Sequence, residues 1–346
     1  MSLTLGFALI IFAAVCGGAF AVPLKHRRKF ELENIYVLAS LVTMILIPLI
    51  VAAAFLPRWP EAIAASGRTT IWAGLAYGFA WGIGAMTFGY GVTMAGLSLG
   101  YALVMGINTA VGSILPFLVK SPQDLMTPGG LVILLGIAGC VAGVAVCGRA
   151  GALRERPSGT PPAKLALVPP RKGRFVWVLL VCLISGVLSA CANLGFAFTS
   201  RVADEAQKLG ATAVIATLGS WMLVYWGGFA ANLLWFGGAQ IKKGTWRLNF
   251  QPGAAHDWGM ALIMGTLWFL AMIPYGMGAY YLGRLGTSVG WAISIAASLI
   301  VANMFGFMTG EWTNAPKRAV RLLFIGLGVL IAAMAVLGLG NSMIAG

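Results

Sequence analysis

The side chains best able to do chemistry in this chain are uncharged. Asn108, Asn193, Asn232 and Asn303 lie inside long apolar stretches, and Trp81, Tyr101, Tyr225, Trp226, Trp268, Tyr275 and Trp291 lie in the same stretches. An amide offers donors and acceptors together, and aromatic ring faces pack against C–H surfaces. Amides beside ring faces suit a neutral, polyhydroxylated solute. The competing role is also specific, because an Asn in a membrane helix commonly bonds a neighbouring helix. The candidate substrate contacts are Trp81, Tyr101, Asn108, Asn193, Tyr225, Asn232, Trp268, Tyr275 and Trp291.

Charge is placed differently. No apolar stretch carries Asp, Glu, Lys, Arg or His near its middle, and the acids are Glu31, Glu33, Glu61, Asp124, Glu155, Asp204, Glu205, Asp257 and Glu311. Membrane enzymes that activate water or handle diphosphates need acidic or His clusters. The pattern therefore argues against an enzyme and against a mid-membrane carboxylate relay. It calls for no cofactor and no metal. If protons are coupled to transport, a carboxylate at a span end must do it by titrating on occlusion. Glu205, beside Asp204 and Arg201 outside the sixth stretch, is the first candidate, and Glu33 is the second. Asp257 opens the eighth stretch, where an acid also suits the helix dipole.

These residues need elements to hold them. Hydrophobic residues make up 60% of the chain and charged residues 9%, against about 25% charged in soluble domains. A span needs about 20 apolar residues. Ten fit, at 3–22, 34–56, 69–94, 99–119, 130–149, 175–199, 211–238, 258–281, 286–309 and 319–340. The fold class is an all-α integral membrane protein. Pro48, Pro116 and Pro274 fall within spans and predict kinks or breaks. Gly139 and Gly143 form a GxxxG suited to helix packing. Tyr36, Trp59, Trp72, Trp177, Trp246, Trp258 and Trp312 lie near span ends, as interfacial anchors do.

The chain also repeats itself. Setting Trp81 on Trp268 also sets Phe88 on Tyr275, Gly89 on Gly276, Gly91 on Gly278 and Gly96 on Gly283. Such a duplication predicts two five-span repeats, residues 1–149 and 175–346, joined by a basic, Pro-rich linker at 150–174. Five is odd, so the second copy enters from the opposite side and the repeats are inverted. Inverted repeats are a transporter architecture, with the site near the midplane and alternating access by rocking.

Basic residues orient the spans. Lys25, Arg27, Arg28, Lys29, the seven of the linker region, Lys242, Lys243, Arg247, Lys317, Arg318 and Arg321 fall on one side, seventeen in all. Six fall on the other: Arg58, Arg68, Lys120, Arg201, Lys208 and Arg284. The excess predicts a cytoplasmic linker and both termini in the periplasm. The net charge of +14 is thereby explained by topology, and nucleic acid is not an expected partner. The linker could also meet anionic lipid head groups. Cys16, Cys140, Cys147, Cys182 and Cys191 all lie in spans, with no CxxC, and read as small packing residues.

In chain order, the residues carry a further likeness. Pro23 and its basic run, Glu33 and Pro48 lead into Trp81-Gly82-Ile83-Gly84, Gly89, Gly96, Ser98 and Gly100. Ser189-Ala190, Glu205, Leu209-Gly210, Ser220, Gly227-Gly228 and Asn232 follow, then Trp291, Gly306, Glu311-Trp312 and Asn314. Together they resemble the L-rhamnose/proton symporters of the drug/metabolite transporter superfamily. The resemblance implies uptake of a deoxyhexose with a proton across a bacterial inner membrane. The chain departs from the family pattern at Gly286-Thr-Ser-Val-Gly-Trp291, which is small and neutral, and around Asn193 and Ala85. Two other readings stand beside it: another small-metabolite carrier or exporter of that superfamily, or an uncoupled facilitator, and a membrane-embedded sensor or assembly subunit. The oligomeric state, monomer or homodimer, is left open.

Overall fold

The computed structural model describes residues 2–95, 97–155 and 174–345. Fourteen α-helices carry the chain among these residues. They are α1 (Leu3–Ala19), α2 (Leu32–Leu41), α3 (Ile47–Phe55), α4 (Trp59–Ala65), α5 (Arg68–Ala95), α6 (Leu97–Lys120) and α7 (Pro128–Glu155). After the linker come α8 (Arg174–Phe198), α9 (Arg201–Lys208), α10 (Ala213–Asn232), α11 (Gly238–Lys243), α12 (Ala255–Tyr281), α13 (Gly286–Met308) and α14 (Lys317–Ala345). No strand occurs among the described residues.

Ten helical stretches are long and apolar enough to cross a membrane, matching the ten expected spans. They run past the expected ends where long basic side chains close them. The fifth extends to Arg154, beyond Arg149, because Arg stems lie along apolar surface while the guanidinium stays in water. The outer surface is apolar, as a bilayer requires, and the largely apolar interior also holds polar side chains. Ile50, Leu135, Leu234 and Phe324 are exposed, whereas Asn108, Asn193, Ser185 and Thr199 are buried. Of the expected anchors, Trp72, Trp177, Trp246 and Trp258 are exposed, but Trp312 is buried beneath the Arg154 guanidinium.

Two compact units form, and neither coincides with a half of the chain. The first comprises residues 1–83 and 191–281, the second residues 84–190 and 282–346. In the first unit α10 is crossed by α5 at unusually short range. A Cβ on Gly78 would run into the Val224 carbonyl, and one on Gly227 into the Leu75 carbonyl. Gly74, Gly78 and Gly82 form the α5 side of this contact, a stripe at helical spacing that lets backbones touch. On the opposite flank α12 packs on α1, with Gly278 against Gly6 and Ile10.

Two π-turns interrupt the spans of this unit, Val42–Leu46 between α2 and α3 and Leu233–Gly237 between α10 and α11. The first has a local cause. Pro48 opens α3, and a proline ring would clash with the carbonyl four residues back. The wider turn, with Ile47 N–H bonding the Val42 carbonyl, relieves that clash. Pro116 and Pro274, by contrast, lie inside continuous helices.

The second unit is organised by α7 and α14, which run antiparallel in constant register. Gly129 meets Ile344, Gly136 meets Leu337, Gly139 meets Ala333, Gly143 meets Leu330, and Cys147 meets Gly326. The Gly139/Gly143 pair thus packs within the chain. Nearby, Ser185 Oγ donates to the Gly84 carbonyl at 3.1 Å, and Gly84 lies against Ser189 and Leu188. Asp124 is paired with Arg284 at 2.6 Å.

Candidate functional site

The polar and aromatic residues of the first unit converge on one face of α10. Trp221, Tyr225, Gly228 and Asn232 recur at spacings of four, three and four, so they share a side of the helix. The close α5 crossing brings Trp81 onto that face. A Cβ on Gly228 would lie 3.0 Å from the Trp81 ring. Trp81 stacks on Trp268 with centroids 6.1 Å apart and planes 10° from parallel, and it meets Tyr225 at 6.4 Å. Trp268 is closed on its other side by Phe20 at 4.4 Å.

Deeper along the face, Trp221 stacks on Phe196 at 4.8 Å and meets Tyr275 edge-on at 6.2 Å. Tyr275 Oη donates to Asn193 Oδ1 at 2.5 Å. Gly276 makes this possible, because a Cβ there would lie 2.5 Å from Trp221 Nε1. Asn232 Nδ2 donates to Ser40 Oγ at 2.9 Å. One unit therefore joins six of the nine expected contacts: Trp81, Asn193, Tyr225, Asn232, Trp268 and Tyr275.

Unmet hydrogen bonds make this face a candidate site, although Asn108 Oδ1 in the second unit is also buried without a partner among the described residues. Trp221 Nε1, Tyr225 Oη, Trp268 Nε1 and Asn232 Oδ1 are buried and find no partner among the described residues. Buried polar atoms are bonded in the great majority of cases, and each that is not costs about 1–3 kcal/mol. Four such atoms lie buried beside stacked rings and offer the donors and acceptor that a polyhydroxylated solute would engage. Two indole N–H groups can only donate, the amide oxygen can only accept, and the phenol can do either.

Asn108 and Trp291 belong to the second unit, where Trp291 Nε1 donates to the Asn108 carbonyl at 3.4 Å and lies against Gly112. The side chain of Tyr101 lies outside the described residues, as does linker segment 156–173. Trp221, Phe196 and Ser40 join this cluster without having been singled out from the sequence. Trp221 precedes Tyr225 by one helical turn, which is the signal that could have found it.

The two candidate coupling carboxylates occupy opposite ends of the first unit. Glu33 is buried at the start of α2. It pairs with Lys243 Nζ at 3.2 Å and accepts from Thr245 Oγ1 at 3.0 Å. Asp257 anchors the same end, its carboxylate accepting the backbone N–H groups of Arg28, Lys29 and Phe30 at 2.6–2.8 Å. At the far end, α9 packs against α4 and α10, and Glu205 is paired with Lys208 at 2.8 Å. No group of three or more His, Cys, Asp or Glu side chains that could hold a metal occurs among the described residues.

Against known proteins, the L-rhamnose-proton symport protein family matches residues 1–343. The chain belongs to that family. Its members are transporters, not enzymes, and the chain is a multi-pass membrane protein of ten apolar spans. Similar curated proteins are the L-rhamnose-proton symporters of Escherichia coli O1:K1 / APEC and of Shigella dysenteriae serotype 1 (strain Sd197). Each is 25% identical over 346 residues, covering 98% of this chain and 98% of the relative.

Proposed function

We propose that this protein imports a neutral monosaccharide, L-rhamnose or a closely related sugar, in symport with protons across a bacterial inner membrane. The observation that carries the reading is the α10 face, with four unpartnered polar atoms set among stacked rings. A deoxyhexose presents hydroxyls for the two indoles, the phenol and the amide, and a C–H face for Trp81 or Trp268. The relatives named as L-rhamnose-proton symporters support the same class of substrate and coupling ion. The small, neutral stretch at 286–291 is compatible with a related sugar in place of rhamnose.

Alternating access by two inverted repeats, residues 1–149 and 175–346, is the transport mechanism of this reading. Trp81 and Trp268 are equivalents under the duplication and stack on each other. Residues meet their own equivalents where they lie near a pseudo-two-fold axis, and that is where such carriers bind substrate. The two π-turns add support, since they fall in the second and seventh spans, which are also equivalents.

Proton coupling is assigned to Glu205 with Glu33 as its counterpart at the other end. Glu33 on α2 is tied to Lys243 on α11, so its protonation releases a link between helices. Glu205 pairs with Lys208 on its own helix, and its protonation alters only the local charge of α9. Glu205→Gln is expected to abolish pH-driven uptake while sparing sugar binding. Unchanged pH-driven uptake in that variant removes Glu205 from the mechanism. A facilitator without coupling is the second reading, favoured because no acid lies on the aromatic face among the described residues. Proteoliposomes decide between them. External alkalinisation on adding L-rhamnose, or another sugar of a hexose, deoxyhexose and pentose panel, establishes symport. Sugar counterflow without proton movement establishes the facilitator, and silence with every sugar in sealed vesicles overturns both.

A further inference from the structure

We propose that the cleft where α7 and α14 part is a binding site for a phosphate-type anion, supplied by an anionic membrane phospholipid. The proposal is independent of the sugar reading. It starts from the register of the two helices. From Gly129 with Ile344 to Cys147 with Gly326 they pack through small residues with little room between them. Beyond Cys147 this packing gives way to a cavity of about 520 Å³, lined by Arg149, Leu153, Arg318, Arg321, Leu322 and Ile325.

Three arginines line the cleft. Their neighbour Arg154 is occupied, paired with Glu311 at 3.2 Å and lying 4.8 Å from the Trp312 ring centre. Arg149, Arg318 and Arg321 pair with no acid among the described residues. Like charges gathered around one cavity repel, and guanidinium groups bind phosphate oxygens in bidentate geometry. The helix end deepens the imbalance. The first turn of α14 holds no acid and carries Lys317 and Arg318, with Arg321 opening the second turn, although a helix N-terminus favours negative charge. An anion in the cleft answers both.

The cleft is also amphipathic, which points to a lipid. Leu153, Leu322 and Ile325 form its apolar wall, and Phe324, Ile325 and Ile331 continue as exposed apolar surface along α14. A phosphodiester among the arginines would thus leave its acyl chains on a hydrocarbon-facing helix. This end also carries the basic excess that marks the cytoplasmic side, whose leaflet attracts basic clusters.

Native mass spectrometry of the delipidated protein titrated with phosphatidylglycerol tests the site, with phosphatidylethanolamine as the zwitterionic reference. Each basic residue near an anionic lipid surface is worth roughly a fivefold factor in binding. The triple variant R149Q/R318Q/R321Q should therefore bind phosphatidylglycerol on the order of a hundredfold more weakly. R27Q/K242Q/R247Q removes as much charge from other exposed positions and should keep wild-type affinity. Equal affinity of the cleft variant and the wild type overturns the proposal, as does an equal loss in both triple variants. Should the cleft triple variant fail to fold, R321Q alone should show a loss of about fivefold, and none overturns the site. Inorganic phosphate distinguishes the sources. Displacement of the lipid at millimolar phosphate assigns the cleft to a soluble phosphate compound, and no displacement assigns it to the phospholipid.

Discussion

Trp221 Nε1 and Tyr225 Oη already bear the cost of burial without a partner, whereas Tyr275 Oη does not. The difference separates binding from stability at single atoms. Tyr225→Phe removes a hydroxyl that stabilises nothing in the folded chain, so thermal unfolding should shift little or upward. Trp221→Phe also removes buried ring volume packed on Phe196 and should cost about 1–3 kcal/mol of stability. If the hydroxyl and the indole N–H meet the sugar, half-saturation should rise about tenfold in each, as for a lost hydrogen bond of roughly 1–1.5 kcal/mol. Tyr275→Phe instead removes the hydrogen bond to the Asn193 amide oxygen and should cost about 0.5–1.5 kcal/mol of stability, read by unfolding in detergent. The aromatic and amide types at Trp81, Asn193, Tyr225, Asn232, Trp268 and Tyr275 were legible because polar or amphipathic residues stand out in apolar spans. Trp221 was passed over although it lies one helical turn before Tyr225, and its place in the cluster shows only where Gly276 makes room for it. For Asn108 and Trp291, residue type alone did not say which neighbours they meet in the second unit.

Helices α5 and α10 touch backbone to backbone, and the position of Trp81 depends on that contact. Gly78→Ala or Gly227→Ala forces a methyl into a facing carbonyl. Either should destabilise by roughly 1–3 kcal/mol and displace Trp81 from Tyr225, so a lower melting temperature should accompany weaker sugar binding. Gly259→Ala, where a Cβ meets nothing within 4 Å, should be neutral in both measurements. Span count and order were readable from hydropathy because a bilayer demands about 20 apolar residues whatever packs against them. The span ends were not, since snorkelling arginines extend helices beyond the last apolar residue. The π-turn at Val42–Leu46 has a visible cue in Pro48, while the one at Leu233–Gly237 has no proline to announce it.

For the molecule as a whole, the arginine and lysine bias is a statement about orientation. Alkaline phosphatase fused after the last span should be active in the periplasm, and a fluorescent protein fused there should stay dark. The opposite pair of results would invert the assignment of every loop. The long α7–α14 seam has a consequence for how the chain is made. α7 emerges from the ribosome with Gly129, Gly136, Gly139 and Gly143 facing no partner, and α14 begins only at Lys317. At bacterial elongation speeds the interval from Glu155 to Lys317 is roughly 8–30 s. Throughout it the helix presents a bare groove to lipid and to any membrane chaperone or protease that surveys it. A chain stalled before its tenth span carries its own mark of incompleteness, and synthesis of that span erases the mark.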